Sequence, residues 1–390
     1  MKIAILTLPL IDNYGGILQC YALQTVLEGM GHQVTVLDRR WPGSGSGLIL
    51  RRLGSFSKCL LRKFVLGQKD IVLMAPWVED YHIHKRSETE ERGLKEISRF
   101  VRENIHLTKP LRSSKELAKW VRRYGYDCIV VGSDQVWREI YSPDIEDFFL
   151  GFLPEDDKRL KITYAASFGT ADSPISEAHL TNCVRLAKRF DALSVRERSG
   201  VEILKETFGL EARLVLDPTL LLSAEQYKFP GKSERTGGVV SYILDETEDK
   251  NSIIGQVAES LGLMETKVRI STRSADADTL LKPSVEEWLA SFASADFVVT
   301  DSFHGCVFSI INHKPFIAIA NKDRGLERFT SLLESFGLQE RLVFNIEEFE
   351  RKKSLLLQPI DYEPVNAKRK ELIQGSLEFL TNSIHPTLAH

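Results

Sequence analysis

The sequence predicts a two-domain α/β protein built on parallel, doubly wound sheets. Three observations predict it. Short apolar runs alternate with stretches of helical period, the pattern of βαβ units. Each run ends in a cluster of small and polar residues, where open α/β sheets bind ligands. The chain has 390 residues, more than one ordinary core of roughly 150 residues holds.

Residues 3–8 read as the first strand, and Asn13, Gly15 and Gly16 mark the turn after it. Leu18, Ala22, Val26 and Met30 share one face of a helix over 18–30, Gly31 stops it, and 33–37 is the next strand. Residues 39–70 then break the pattern. Arg39, Arg40, Arg51, Arg52, Lys58, Arg62, Lys63 and Lys69 occur with no acid before Asp70, interleaved with leucine and phenylalanine. Such an insertion either packs as a solvated helical excursion or lies on an anionic membrane surface.

Alternation resumes after a polar helical stretch over 79–104. Strands are expected at 128–131, 162–166, 192–195 and 214–216, with a helix over 180–190. Pro230, Gly231, Gly237 and Gly238 interrupt the pattern. This places the first domain at 1–225 and the second at 226–345. The second carries strands at 239–244, 297–300 and 315–320 and helices at 250–261 and 305–312. Residues 346–390 form a helical tail, with one amphipathic helix over 366–383.

A formal net charge of -3 argues against nucleic-acid binding, which runs on a large positive balance. The five cysteines are scattered and form no CxxC pair, so neither a disulfide framework nor a metal site is expected. Cys306 reads either as a nucleophile or as a small buried residue. The opening apolar run is short and broken by Asp12 and Asn13, unlike a secretory signal. No run reaches roughly 18 apolar residues, so no membrane span and a cytoplasmic protein are expected.

The strongest local candidate is Thr300-Asp301-Ser302-Phe303-His304-Gly305, where a buried strand becomes a helix. Free backbone N–H groups and the positive end of the helix dipole favour a phosphate or carboxylate there. His304 adds a group that titrates near neutrality. Asp301 would orient the imidazole or cap the helix, and Ser302 also suits the cap. The same residues fit a plain helix cap with a satisfied histidine.

Arg196 and Arg198 follow a strand and offer planar forks for an anion, or else begin a helix with surface ion pairs. Arg324 and Arg328, four apart, share a face if helical. Gly15 and Gly16 permit close backbone approach to a ligand, but the spacing is not GxGxxG and no nicotinamide cofactor is expected. Ser133 and Asp134, after Gly132, supply a candidate general base or an ordinary Asx turn. Tyr14 and Trp137 suit either sugar stacking or core packing.

Six segments occur in order: Asn13-Tyr14-Gly15-Gly16-Ile17-Leu18-Gln19, Gly132-Ser133-Asp134-Gln135-Val136-Trp137, Tyr164-Ala165-Ala166-Ser167-Phe168-Gly169, Ser194-Val195-Arg196-Glu197, Asp217-Pro218-Thr219 and Thr300-Asp301-Ser302-Phe303-His304-Gly305. Together they resemble the polysaccharide pyruvyl transferase family. The resemblance implies two Rossmann-like domains facing across a cleft, as in GT-B glycosyltransferases. It implies phosphoenolpyruvate as donor, no separate cofactor, and a sugar of a capsular or exopolysaccharide precursor as acceptor. The product would be a pyruvate ketal, with phosphate released.

In the family, positions matching Arg196 and His304 are associated with donor binding. Some members carry Arg-x-His at the last motif, where this chain has Ser302, so Arg198, Arg324 or Arg328 would supply that second cation. The expected roles are His304 as acid or phosphate ligand, Arg196 as carboxylate clamp, Asp134 as base and Asp301 as the group orienting His304. A lipid-linked acceptor would give the basic segment a use at the inner membrane face. The alternatives are a nucleotide-sugar glycosyltransferase on the same architecture and a non-catalytic glycan- or anion-binding relative.

Overall fold

The computed structural model describes residues 1–42, 88–229, 237–268, 283–321 and 325–385. Two parallel sheets form its frame. In the first, β1 (Lys2–Leu6) lies between β2 (Gln33–Val36) and β3 (Cys128–Val131), and β4 (Leu160–Thr163) lies beyond β3. A parallel pair, β5 (Ser194–Val195) and β6 (Arg213–Leu214), continues this sheet through bridges from Ile162 to Ala192 and from Ala166 to Val195.

The second sheet contains β7 (Val239–Tyr242), β8 (Glu265–Lys267), β9 (Phe297–Thr300), β10 (Phe316–Ile319) and β11 (Leu342–Val343). Its order is β11-β10-β9-β7-β8, all parallel. The central strands CIVV, FVVT and FIAI are buried along their whole length, as strands covered on both faces must be. In each sheet the first strand has its successors on opposite sides. The carboxyl ends of β1 and β3, and of β7 and β9, therefore bound the two crevices where such sheets take ligands.

Helices α1 (Tyr14–Gly29), α2 (Glu88–Asn104), α3 (Ser114–Tyr124), α4 (Glu177–Ala187) and α5 (Arg198–Glu206) alternate with the first set of strands. Helices α6 (Glu248–Leu261), α7 (Val285–Ser294), α8 (Phe303–Ile311), α9 (Leu326–Phe336) and α10 (Ile346–Leu356) alternate with the second set, and α11 (Tyr362–Ile384) follows. Every residue of α8 is buried, so this helix has no solvent face. With α1 it contributes to one apolar core that draws on both sheets, while the outer faces keep separate cores.

That shared core fixes the two halves against each other. The Tyr14 ring stacks on Trp288 at 5.4 Å between centroids, and its hydroxyl donates to the Pro283 carbonyl. Arg99 on α2 reaches Glu286 on α7 at 2.7 Å. The last helix returns to the first sheet: Ser376 accepts from the Leu216 N–H at 3.0 Å, and Arg369 donates to the Leu220 and Leu222 carbonyls.

Two residues of the basic insertion are used within the fold. Arg39 is buried against Asp147 at 2.7 Å, and Arg40 pairs with Asp38. The remainder of that segment, from residue 43, lies outside the described residues. Among the described residues no helix is long and apolar enough to cross a membrane.

Trp288→Ala would empty the centre of the stack between the halves. The expected loss is about 3–5 kcal/mol of unfolding free energy, read by urea titration. A loss under about 1 kcal/mol would mean that the stack does not hold the halves together.

Candidate active site

The site assembles where the two crevices meet. Beyond β3 the chain turns through Gly132, Ser133 and Asp134. Thr7 donates to the Ser133 carbonyl at 2.9 Å, and the Gln19 side chain accepts from the Ser133 N–H at 3.0 Å. Gln19 also donates to the Gly16 carbonyl at 2.7 Å, so the loop and the start of α1 are one hydrogen-bonded unit. Asp134 sits at φ 78°, a left-handed conformation that aspartate tolerates better than most side chains. Held this way, its carboxylate meets Arg196.

Arg196 follows β5, and its side chain is wholly buried. One terminal nitrogen donates to Asp134 at 2.9 Å and the other to Asp217 at 2.6 Å. Asp217 also accepts from the Thr219 N–H at 3.0 Å and its hydroxyl at 2.6 Å. Burial alone would raise both carboxyl pKa values, but Arg196 and His304 outweigh it and hold them below the usual range. Glu197 lies beside them and accepts from the Phe168 and Gly169 N–H groups at 2.8 and 3.3 Å. Its second oxygen is 4.0 Å from the Arg196 Nε. Burial dominates at Glu197 and raises its pKa, against the pull of Arg196.

The second half supplies His304 and Phe303 from the first turn of α8. Ser302 caps that helix by accepting from the Gly305 N–H at 3.4 Å, and Thr300 anchors the turn to the Tyr242 carbonyl at 2.7 Å. Position 305 admits only glycine without rearrangement, because a Cβ there would lie 2.2 Å from the Thr300 hydroxyl. A Cβ at Gly15 would lie 1.9 Å from His304 Nδ1, so the backbone of α1 packs directly on the imidazole. His304 Nε2 is 3.8 Å from Asp217, buried and without a hydrogen-bond partner among the described residues. Burial pushes the imidazole pKa down to about 4, partly opposed by Asp217. His304 is therefore neutral near pH 7.

Two guanidinium groups face the Phe303 ring, Arg196 at 5.1 Å and Arg328 at 5.3 Å from its centroid. Arg328 is buried on α9, and burial followed by the repulsion of Arg196 lowers its pKa to about 10. The centre thus combines two cations, ionised carboxylates and a neutral imidazole, all buried.

The structure brings together His304, Arg196, Arg328, Asp134, Ser133, Gly15 and Gly16, and it corrects other expectations. Asp301 does not orient His304. Its carboxylate turns across the sheet edge and accepts from Leu244 N–H at 2.6 Å, Lys250 at 2.8 Å and Asn321 at 3.0 Å. Asp217 is the carboxylate beside the imidazole instead. Arg198 points outward, 62% exposed, 3.7 Å from Glu334. Arg324 lies outside the described residues. Arg196 is no open clamp, because carboxylates of the protein already fill both arms of its fork. The Cys306 thiol is buried and its pKa is pushed up by that burial, so it is no ready nucleophile. Trp137 stacks on Phe149 at 5.2 Å within the core.

Sequence reasoning assigned no role to Asp217, Phe303 or Gln19. The first stood in a strand-end motif, Asp217-Pro218-Thr219, whose position at the sheet edge was the usable signal. The other two stood inside motifs already singled out.

Fold and site together define a two-domain protein of GT-B-like architecture, with a charged centre between facing Rossmann-like halves. The UDP-GlcNAc 2-epimerase of Neisseria meningitidis bound to UDP-GlcNAc is similar in fold, with a TM-score of 0.50 at 10% identity over 99% of this chain and 100% of that one. A Listeria monocytogenes structure provisionally classed as a UDP-N-acetylglucosamine 2-epimerase gives 0.53 at 10% identity over 100% and 97%. General stress protein 30 of Bacillus subtilis (strain 168) is 27% identical over 199 residues, 49% of this chain and 55% of that protein. The chain thus spans only about half the length of this curated relative. The profile of the polysaccharide pyruvyl transferase family matches residues 13–323. The chain belongs to that family.

Gly15→Ala should push the imidazole aside and lower stability by about 1–3 kcal/mol through overpacking. In the His304→Ala background the same change should cost little, because the ring it strikes is gone. Equal costs in both backgrounds, measured by denaturant titration, would show that the two residues are not coupled as the packing requires.

Proposed function

We propose that the protein transfers the enolpyruvyl unit of phosphoenolpyruvate onto two hydroxyls of a sugar in a cell-surface glycan precursor, forming a pyruvate ketal and releasing phosphate. The observation that carries this reading is the buried His304 Nε2, which has no hydrogen-bond partner among the described residues and lies beside Asp217, within a centre that also holds Arg196 and Arg328. Family membership supports transfer of a pyruvyl group.

The chemistry matches these residues. The donor carries a carboxylate and a phosphate, and Arg328 beside Phe303 is the cation best placed to meet one of them. His304 meets the other as a neutral donor whose proton affinity rises when an anion enters. One acceptor hydroxyl adds to C2 of the enol phosphate while C3 gains a proton and becomes a methyl group. The C2–O bond to phosphate then breaks, and the second hydroxyl oxygen takes its place. Of the two hydroxyl protons, one balances that gained by C3 and the other leaves with phosphate. Asp134, ionised and held by Arg196, is the proposed base for the acceptor, and Asp217 positions His304. In this scheme Arg196 shapes the site by fixing both carboxylates.

Phosphate release from phosphoenolpyruvate, with glycan precursors as acceptors, tests the reading. His304→Ala should lower turnover about 10²–10⁴-fold while leaving the fold intact by circular dichroism. Near-normal turnover would remove His304 from the chemistry. A wild-type protein that binds nucleotide sugars and releases no phosphate from phosphoenolpyruvate would overturn the assignment.

A further inference from the structure

A cavity of about 410 Å³ lies between β6, α9 and α11, and its inner wall includes Arg196, Asp217 and Phe303. We propose that this cavity is a saccharide subsite holding one pyranose ring, the acceptor sugar, against the charged centre. Its role as acceptor subsite rests on the transfer reading above, whereas saccharide binding itself does not.

The size falls within the range of sites for small ligands. The lining is divided as a pyranose is divided. Leu332 and Leu372 offer an apolar wall for the C–H face of a ring, while Ser335, Glu371 and Gln374 border its edge. Glu371 is held by Lys368 at 2.9 Å and Gln374 donates to Glu378 at 2.9 Å, so both polar groups are fixed in place and keep further hydrogen-bonding capacity for ring hydroxyls. Asp217 and Arg196 on its wall belong to the charged centre, so a ring held here would lie next to that centre.

A second, independent observation is Gly375. It lies inside α11 and lines the cavity. Glycine within a helix is destabilising relative to alanine. No positive φ demands it, and a Cβ there would meet nothing within 4 Å. Neither backbone nor packing calls for glycine at this place. Its effect is to keep the cavity clear.

Gly375→Leu tests the proposal, with Gly255→Leu as the matched control. Gly255 is an exposed glycine of α6 whose Cβ would also meet nothing within 4 Å, and it does not line the cavity. Saturation-transfer NMR with the methyl pyranosides of glucose, galactose and mannose reads binding directly. Wild type and Gly255→Leu should bind at least one pyranoside. Gly375→Leu should bind it at least about tenfold more weakly, while melting no lower than wild type. If leucine prevents folding, Gly375→Ala narrows the same space with a single methyl.

No transfer to any pyranoside in wild type, or equal binding by the two leucine variants, would overturn the proposal. Pyranoside binding lost in Gly375→Leu would sustain the subsite even if wild type released no phosphate from phosphoenolpyruvate, a result that would sink the transfer reading alone.

Discussion

The buried contact of Arg196 with Asp134 and Asp217 is the interaction on which the rest of the centre depends. Three ions without access to water are stable only if each is paired with good geometry, because desolvation costs several kcal/mol per ion. The fork of Arg196 meets that condition at 2.9 and 2.6 Å. It also joins three strand ends of the first sheet that are far apart in sequence. Removing one partner leaves an uncompensated buried charge, so the arrangement constrains all three segments at once.

Against that fixed cluster the second half sets a histidine that carries no charge of its own near neutrality. Gly15 is what lets α1 come close enough to hold the ring, and the apolar core around α1 and α8 keeps the halves from sliding apart. The outcome is a centre whose carboxylates are committed and whose imidazole is held in reserve. An incoming anion would supply the charge that makes protonation of His304 favourable. On the proposed reading, burial suppresses the proton-carrying form until the ligand arrives, the direction expected of a group tuned by its surroundings.

The strands were legible because Cys128–Val131, Phe297–Thr300 and Phe316–Ile319 are apolar runs whose burial leaves little choice of conformation. Helix α7 is harder to read: it spans only Val285–Ser294, so Val285, Trp288, Leu289 and Phe292 give a short apolar period, and its clearest signal is the capping box of Ser284 and Glu287. At the site, residue types were easier to read than partners. Asp301 stands close to His304 in sequence, yet the turn into α8 sends its carboxylate to Lys250. The carboxylate that does reach the imidazole comes from the other half. Arg196 was visible as a cation, but the charges that already neutralise it come from two other strand ends. At Gly15, where close approach to a ligand was expected, the backbone packs on the His304 side chain.

If the proposed function holds, burial keeps His304 neutral until an anion enters beside it. Proton-nitrogen NMR of the imidazole, titrated with and without phosphoenolpyruvate, measures this most directly. The expected result is a pKa of about 4 in the free protein and a clear rise when phosphoenolpyruvate is bound. An ordinary histidine pKa near 6.5, unchanged by phosphoenolpyruvate, would contradict it.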